Sequence, residues 1–260
     1  MNFLETGENK LIKSFLKQGY LIKKTESKQS LNYIHNFIKE ASCKILNTKQ
    51  IDLNNVHKFV EKDNLNEFRL SIIKAMSRDR NIRFHYFNLA KKNLYILAGN
   101  ELMMQKNINL SIQFPNDETS LLPIHSDVWS GDSAYEINLW LPLVNCYKTK
   151  SMYILKKNKL ELFLKNLKKL NVKSSDEIFN IAKKNVNWLK INYGNFLLFN
   201  QAIPHGNVIN KENETRWSMN CRFKSIFTPY EDKKIGEFFL PITTRAMTEI
   251  GLNYSNPFKK

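Results

Sequence analysis

Five histidines occur, at positions 35, 57, 85, 125 and 205, but only two stand where they could join other groups in chemistry. His125 lies in Pro123-Ile124-His125-Ser126-Asp127. On an extended backbone residues two apart share a face, so this spacing presents an imidazole and a carboxylate side by side. A third ligand has to come from a distant strand. His205, in Ile203-Pro204-His205-Gly206 after the apolar run Phe196 to Phe199, is the best placed. Two histidines and a carboxylate on one face of an octahedron leave three positions open, the pattern of iron(II) oxygenases. Two of those positions take a bidentate 2-oxo acid and one takes O2. The same ligands also serve zinc hydrolases, so the pair of chemistries stays open on these residues alone. His35, His57 and His85 have no carboxylate at ligand spacing and read as ordinary surface or core histidines.

A cation able to grip a dicarboxylate separates the two chemistries. In Arg216-Trp217-Ser218-Met219-Asn220-Cys221-Arg222, alternation puts Arg216, Ser218, Asn220 and Arg222 on one face and the bulky residues on the other. A guanidinium holds a carboxylate in a two-point fork, and a serine hydroxyl adds a hydrogen bond. Arg216 and Ser218 are therefore the expected anchor for 2-oxoglutarate, a need that a zinc hydrolase does not have. Arg222 ranks second because it lies further along the strand from the metal.

These residues need a frame. Leu11 to Phe15 starts helically, Gly19 to Ile22 reads as a short strand, and Ser27 precedes a helix with Leu31, Ile34, Ile38 and Ile45 on one face. Further helices are expected over about Leu65 to Met76 and Asp79 to Met104. From Ile108 onward short β-branched and aromatic segments take over: Ile108 to Phe114, Glu136 to Leu143, Ser151 to Leu155, Asn195 to Phe199 and Arg216 to Ile226. Between them Leu160 to Leu170 and Asp176 to Ile191 read as helical, with Ser174 and Glu177 as a capping box. The expected fold is mainly β with helical additions, an antiparallel barrel or jelly roll. No linker or repeat divides it, so one domain is expected: a helical scaffold to about 105, a β core over 106–228 with a helical insertion at 156–190, and a C-terminal segment over 229–260.

Composition narrows the partners. Lysine and arginine outnumber aspartate and glutamate by 40 to 24, giving a net charge of +16 over 260 residues. That charge favours an anionic small molecule, although the lysines are scattered and most read as solvated. No nucleic-acid recognition motif accompanies it. Three cysteines without metal-like spacing fit a reducing compartment. Charged residues interrupt Met1 to Lys17, and no apolar run approaches 18 residues, so neither a signal peptide nor a membrane span is expected and the reading is cytoplasmic. No oligomeric state is legible.

The stretch Tyr193 to Asn200, Pro204-His205-Gly206, and Arg216 eleven residues after that histidine together resemble the phytanoyl-CoA dioxygenase superfamily. Phe15 to Ile22 is similar to that family's N-terminal helix-to-strand entry, and Ile137 to Leu143 to the strand after its His-x-Asp. The wording of His125 to Trp129 and Glu136 to Leu143 is similar to oxygenases of bacterial surface-carbohydrate gene clusters. The resemblance implies a double-stranded β-helix, iron(II) on His125, Asp127 and His205, and 2-oxoglutarate held by Arg216 with O2 as co-oxidant. It places Asn138 toward the cosubstrate. A carboxylate at 127 favours hydroxylation, or desaturation or epimerisation, over halogenation. After Leu143 the chain departs from the family's glycine-rich turn and Pro-Gly-Ser-His segment.

Substrate contacts are expected above the triad. Trp129 continues the alternating face of His125 and Asp127, and Trp140 follows Asn138 on its strand; either could stack on a sugar. Gln113 is a further candidate. The leading substrate class is a sugar or nucleotide-sugar. A lipid or acyl-CoA, a zinc hydrolase and a non-enzymatic β-barrel binding module are the competing readings.

Overall fold

The structure is a computed structural model and describes residues 3–170, 172 and 174–258; positions 1–2, 171, 173 and 259–260, which fall in the expected N-terminal scaffold, helical insertion and C-terminal segment, lie outside them. Helix α1 (Thr6–Gln18) ends at Gly19, whose φ of +77° turns the chain into strand β1 (Tyr20–Lys24). A Cβ at Gly19 would also run into the end of the Ile203 side chain, which would have to move, so the positive φ and the close approach both favour glycine. Helix α2 (Lys28–Leu46) starts at Ser27, whose hydroxyl accepts the Ser30 N–H, and buries Leu31, Ile34 and Ile38. Ile45 is left 40% exposed in the last turn, where the helix borders a surface groove with Leu46 and Phe59.

Helix α3 (Leu65–Arg78) follows as expected, but the long helix expected over Asp79 to Met104 is three elements. They are α4 (Ile82–Asn88), α5 (Lys91–Ala98) and strand β2 (Leu102–Gln105). The strand Leu-Met-Met-Gln is buried on both faces, so it lacks the alternation that marks a half-exposed strand and looks helical in sequence. Strands β3 (Asn109–Gln113), β4 (Ile137–Pro142) and β5 (Tyr153–Leu155) come next. Helices α6 (Leu160–Leu170) and α7 (Ser175–Ala182) form the insertion, with the Ser174 hydroxyl accepting the Glu177 N–H at the start of α7. The helix expected to reach Ile191 stops at Ala182; Val186–Trp188 is strand β6, claimed by pairing with β5. The remaining elements are β7 (Asn195–Asn200), β8 (His205–Gly206), β9 (Arg216–Ser225), β10 (Phe239–Thr243) and α8 (Ala246–Asn253).

The strands form two antiparallel sheets. The larger has the order β1-β7-β4-β9-β2-β10, and the smaller β6-β5-β8. Strand β9 organises the larger sheet. One edge pairs with β4 over Ser218 to Phe223, while the other pairs first with β3 over Arg216 to Asn220 and then with β2. Its Trp217, Met219, Cys221 and Phe223 are fully buried against the helical scaffold. Phe68 of α3 meets the Trp217 ring edge-on at 6.0 Å, and Phe87 of α4 lies 6.3 Å from Phe223. The Trp217 indole N–H donates to the Leu53 carbonyl at 2.8 Å, so its polar atom is satisfied inside the core. Each such side chain contributes roughly 1.5–3 kcal/mol by leaving water. The helices thus pin the outer face of β9, which leaves its inner face free to carry polar groups. Among the described residues no helix is long and apolar enough to cross a membrane, and all three cysteines are free thiols.

Candidate metal centre and cavity

His125 and His205 are brought together by their own backbones. The His125 N–H donates to the His205 carbonyl at 2.9 Å and the His205 N–H returns the bond at 2.8 Å, so the two residues form a reciprocal antiparallel pair. Their rings lie 4.4 Å apart. Strand β8 is only two residues long and threads past crowded neighbours. A Cβ at position 206 would sit 2.7 Å from the Tyr153 hydroxyl and 2.8 Å from the Leu122 carbonyl oxygen, which explains the glycine beside the histidine. Asp127 begins a single 3-10 turn (Asp127–Ser130), and its N–H donates to the Gln201 carbonyl at 3.1 Å.

Both imidazoles are held in one tautomer. Nδ1 of His125 lies 2.8 Å from the Pro123 carbonyl, and Nδ1 of His205 lies 2.9 Å from the Ile203 carbonyl. A carbonyl only accepts, so each Nδ1 carries a proton and each Nε2 points inward toward Asp127. The two Nε2 atoms stand 3.4 and 3.9 Å from Asp127 Oδ1. One ligand atom from each of His125, Asp127 and His205 falls within 4.8 Å of the others. Burial pulls the His205 imidazole down to about 4 despite the nearby Asp127 charge. Burial also pulls on His125, but its hydrogen bonds to Asp127 and the Pro123 carbonyl outweigh it and raise the group. Burial pushes the Asp127 carboxyl up, yet the His125 hydrogen bond and the charges of His205 and Arg222 hold it far below the usual carboxylate range. The site is therefore an anionic carboxylate facing two inward-pointing imidazole Nε2 atoms, a donor set that a divalent cation fits by displacing any proton held between His125 and Asp127.

The triad opens on a cavity of about 180 Å³. Arg216, Ser218, Asn220 and Arg222 of β9 all line it, as alternation on that strand requires, and Asn138 and Trp140 reach it from β4. Asn138 Nδ2 approaches Asp127 Oδ2 at 3.4 Å, and its buried Oδ1 has no partner. Trp129 is not on this face. The 3-10 turn at Asp127 ends the alternation that would have carried it there, and the indole is 45% exposed outside the cavity lining. Gln113 also lies outside the lining; it faces the Arg216 side of β3, but it is fully buried and donates to the Val208 carbonyl at 2.9 Å. Several lining residues were not singled out from sequence: Asn109, Ser111, Leu122, Met152, Phe199 and Asn207. The first two carried a usable signal, since Asn109 and Ser111 alternate with the buried Leu110 and Ile112.

The two arginines differ sharply in company. Arg216 is 3% exposed; one terminal nitrogen donates to the Ser111 hydroxyl at 2.8 Å, Nε has no partner, and no carboxylate among the described residues lies within ion-pair distance. Burial pulls its guanidinium down to about 10. Arg222, by contrast, is committed: Nη2 lies 3.2 Å from Asp127, and Nε lies 3.3 Å from Asp132 and 3.0 Å from the Gln201 side-chain oxygen.

No protein-family model matches the chain, and no curated protein matches it in sequence. Solved structures match it by shape. A non-haem monooxygenase, ThoJ in its nickel complex, superposes with a TM-score of 0.56 at 12% identity, over 92% of this chain and 85% of that one. The non-haem α-ketoglutarate-dependent carbocyclase SnoK from nogalamycin biosynthesis gives a TM-score of 0.56 at 12% identity, over 93% and 97%. HygX from Streptomyces hygroscopicus, with nickel and 2-oxoglutarate bound, gives 0.52 at 10% identity, over 89% and 90%. At such identities the likeness speaks for architecture, and the chain has the jelly-roll-like, antiparallel β fold that these non-haem enzymes share.

Proposed function

We propose that the chain is a non-haem iron(II) enzyme that uses 2-oxoglutarate and O2 to oxidise a small organic substrate, with His125, Asp127 and His205 as the metal ligands. The observation that carries this reading is Arg216: a guanidinium 3% exposed, with no counter-ion among the described residues, on the wall of the cavity that holds the three ligand atoms. A buried uncompensated charge costs several kcal/mol unless an anion completes it. The distal carboxylate of 2-oxoglutarate is such an anion. A zinc hydrolase gives this cation no role, and a passive binding barrel gives none to the three converging ligands. The fold likeness to ThoJ, SnoK and HygX supports the same reading.

Iron(II) bound there supplies oxidation of a C–H bond coupled to conversion of 2-oxoglutarate and O2 into succinate and CO2. The protein's share is placement. The backbone carbonyls of Pro123 and Ile203 fix the imidazoles, Arg216 and Ser218 orient the cosubstrate, and the Asn138 Oδ1, an acceptor, is left for a donor such as a substrate hydroxyl. Phe199, packed edge-on against His205 at 4.8 Å, and Trp140 exclude water from one wall. For the substrate we favour a hydroxyl-rich molecule of the sugar or nucleotide-sugar class. Amide side chains of Asn109, Asn207 and Asn220 line the cavity, and the +16 net charge suits a phosphate-bearing ligand. A surface-polysaccharide role in the cytoplasm rests on the sequence resemblance alone. The test is iron-dependent release of succinate from 2-oxoglutarate, followed by NMR. Succinate formed by the wild type and lost in Arg216→Met supports the reading; turnover that needs zinc, or survives Arg216→Met, removes it.

A further inference from the structure

We infer that Arg222 is the positioning residue of the Asp127 carboxylate, fixing its rotation beside the two imidazoles; the inference rests on the metal reading above. Arg222 was a rival anchor for the cosubstrate in sequence, but the geometry gives it different work. Its Nη2 lies 3.2 Å from Asp127 Oδ1, the oxygen that faces both imidazoles. The guanidinium cannot swing away easily. Its Nε donates to the Gln201 side-chain oxygen at 3.0 Å, with the Asp132 carboxylate an ion-pair neighbour at 3.3 Å, and Nη1 lies 3.3 Å from the Gln105 side-chain oxygen. Gln201 is fixed in turn, its amide donating to Glu136 at 2.7 Å and to the Ser133 carbonyl at 3.3 Å.

Asn138 works from the other side. It is the register partner of Arg222 across β4 and β9, and it approaches Asp127 Oδ2. The carboxylate is thus gripped at each oxygen from two neighbouring strands. That grip matters chemically, because a carboxylate free to rotate can chelate a metal through both oxygens. Chelation takes one of the three open positions that a bidentate 2-oxo acid and O2 need. Two charge-matched carboxylates, Asp127 and Asp132, also leave Arg222 with no spare charge for an incoming anion, in contrast to Arg216.

The test uses Co(II) as a spectroscopic probe in the full-length protein, with 2-oxoglutarate titrated afterwards. Arg222→Met and, independently, Asp132→Asn, which frees the guanidinium while leaving it in place, should weaken Co(II) binding about 10- to 100-fold and alter its visible spectrum. Arg222→Lys should recover part of the affinity. The 2-oxoglutarate concentration needed for half-saturation should change far less than in Arg216→Met. Circular dichroism identifies any variant that fails to fold, and Asp132→Asn then carries the test. Unchanged or tighter Co(II) binding in both variants overturns the assignment. So does a main effect on 2-oxoglutarate, which would return Arg222 to the cosubstrate. If His205→Ala binds Co(II) as well as wild type, the metal reading itself fails, and that outcome is seen before any Arg222 variant is consulted.

Discussion

The two faces of β9 are made by one ten-residue strand and have opposite energetics. Its outer residues, Trp217, Met219, Cys221 and Phe223, are fully buried among helices and carry no unmet polar demand. Its inner residues, Arg216, Ser218, Asn220 and Arg222, line a cavity, and one of them, Arg216, is a buried cation with no anion partner among the described residues. The outer face contributes stability, whereas the inner face gives some of it up for a ligand that is not part of the chain. The difference shows how one strand can be both the keel of the fold and the wall of a site: alternation separates the two tasks residue by residue.

Substitutions on the two faces should therefore fail in opposite ways. The largest effect is expected at the inner face. Arg216→Met should weaken 2-oxoglutarate binding by about 2–5 kcal/mol, the cost of removing one partner of a buried charge pair. It should leave the melting temperature unchanged or higher, because an uncompensated buried charge is gone. Isothermal titration and thermal melts read the two quantities; a melting temperature well below wild type would show that Arg216 serves the fold instead. Trp217→Ala should do the reverse, losing about 3–5 kcal/mol of stability to the vacated core volume. The folded fraction should still bind metal and cosubstrate, and normal stability by urea denaturation would contradict the division of labour.

A smaller effect sharpens the entry to the strand. Lys150 is wholly buried, with Nζ 2.6 Å from Glu214 and 2.7 Å from Asn54, just before β9 begins. The Lys150 hydrogen bond holds the Glu214 carboxyl below its ordinary value of 4.5. A depressed carboxylate stabilises the fold above that value and loses its contribution as pH falls through the lower folded value. The urea midpoint of Glu214→Gln should lie slightly below wild type at pH 7 and converge with it as pH drops under about 4.5. Equal midpoints throughout would remove the pair from the account. Glu214 is partly exposed, so solvent screening keeps the difference small.

Local signals made much of this legible. His125 and Asp127 are two apart, and Arg216 to Arg222 alternate cleanly, so their grouping needed no long-range knowledge; the cavity lining agrees for β9. What was hidden is non-local or interrupted. The reciprocal backbone pair of His125 and His205 joins residues eighty positions apart through a two-residue strand too short to announce itself. Trp129 was misplaced because a four-residue 3-10 turn breaks the alternation. Leu102 to Met104 and Val186 to Trp188 read as helix in sequence because pairing, not periodicity, makes them strands. The commitment of Arg222 depends on Gln105, Asp132 and Gln201, three side chains from separate segments, and no spacing in the sequence links them.

The most direct measurement is an anaerobic ultraviolet–visible titration of metal-free protein with Fe(II) and then 2-oxoglutarate, repeated with Arg216→Met. The account predicts a weak visible band that appears only when both are present and is lost or greatly weakened in the variant at equal cosubstrate concentration. No band in the wild type, with zinc retained tightly through purification, would contradict it and put the same three ligands to hydrolytic use.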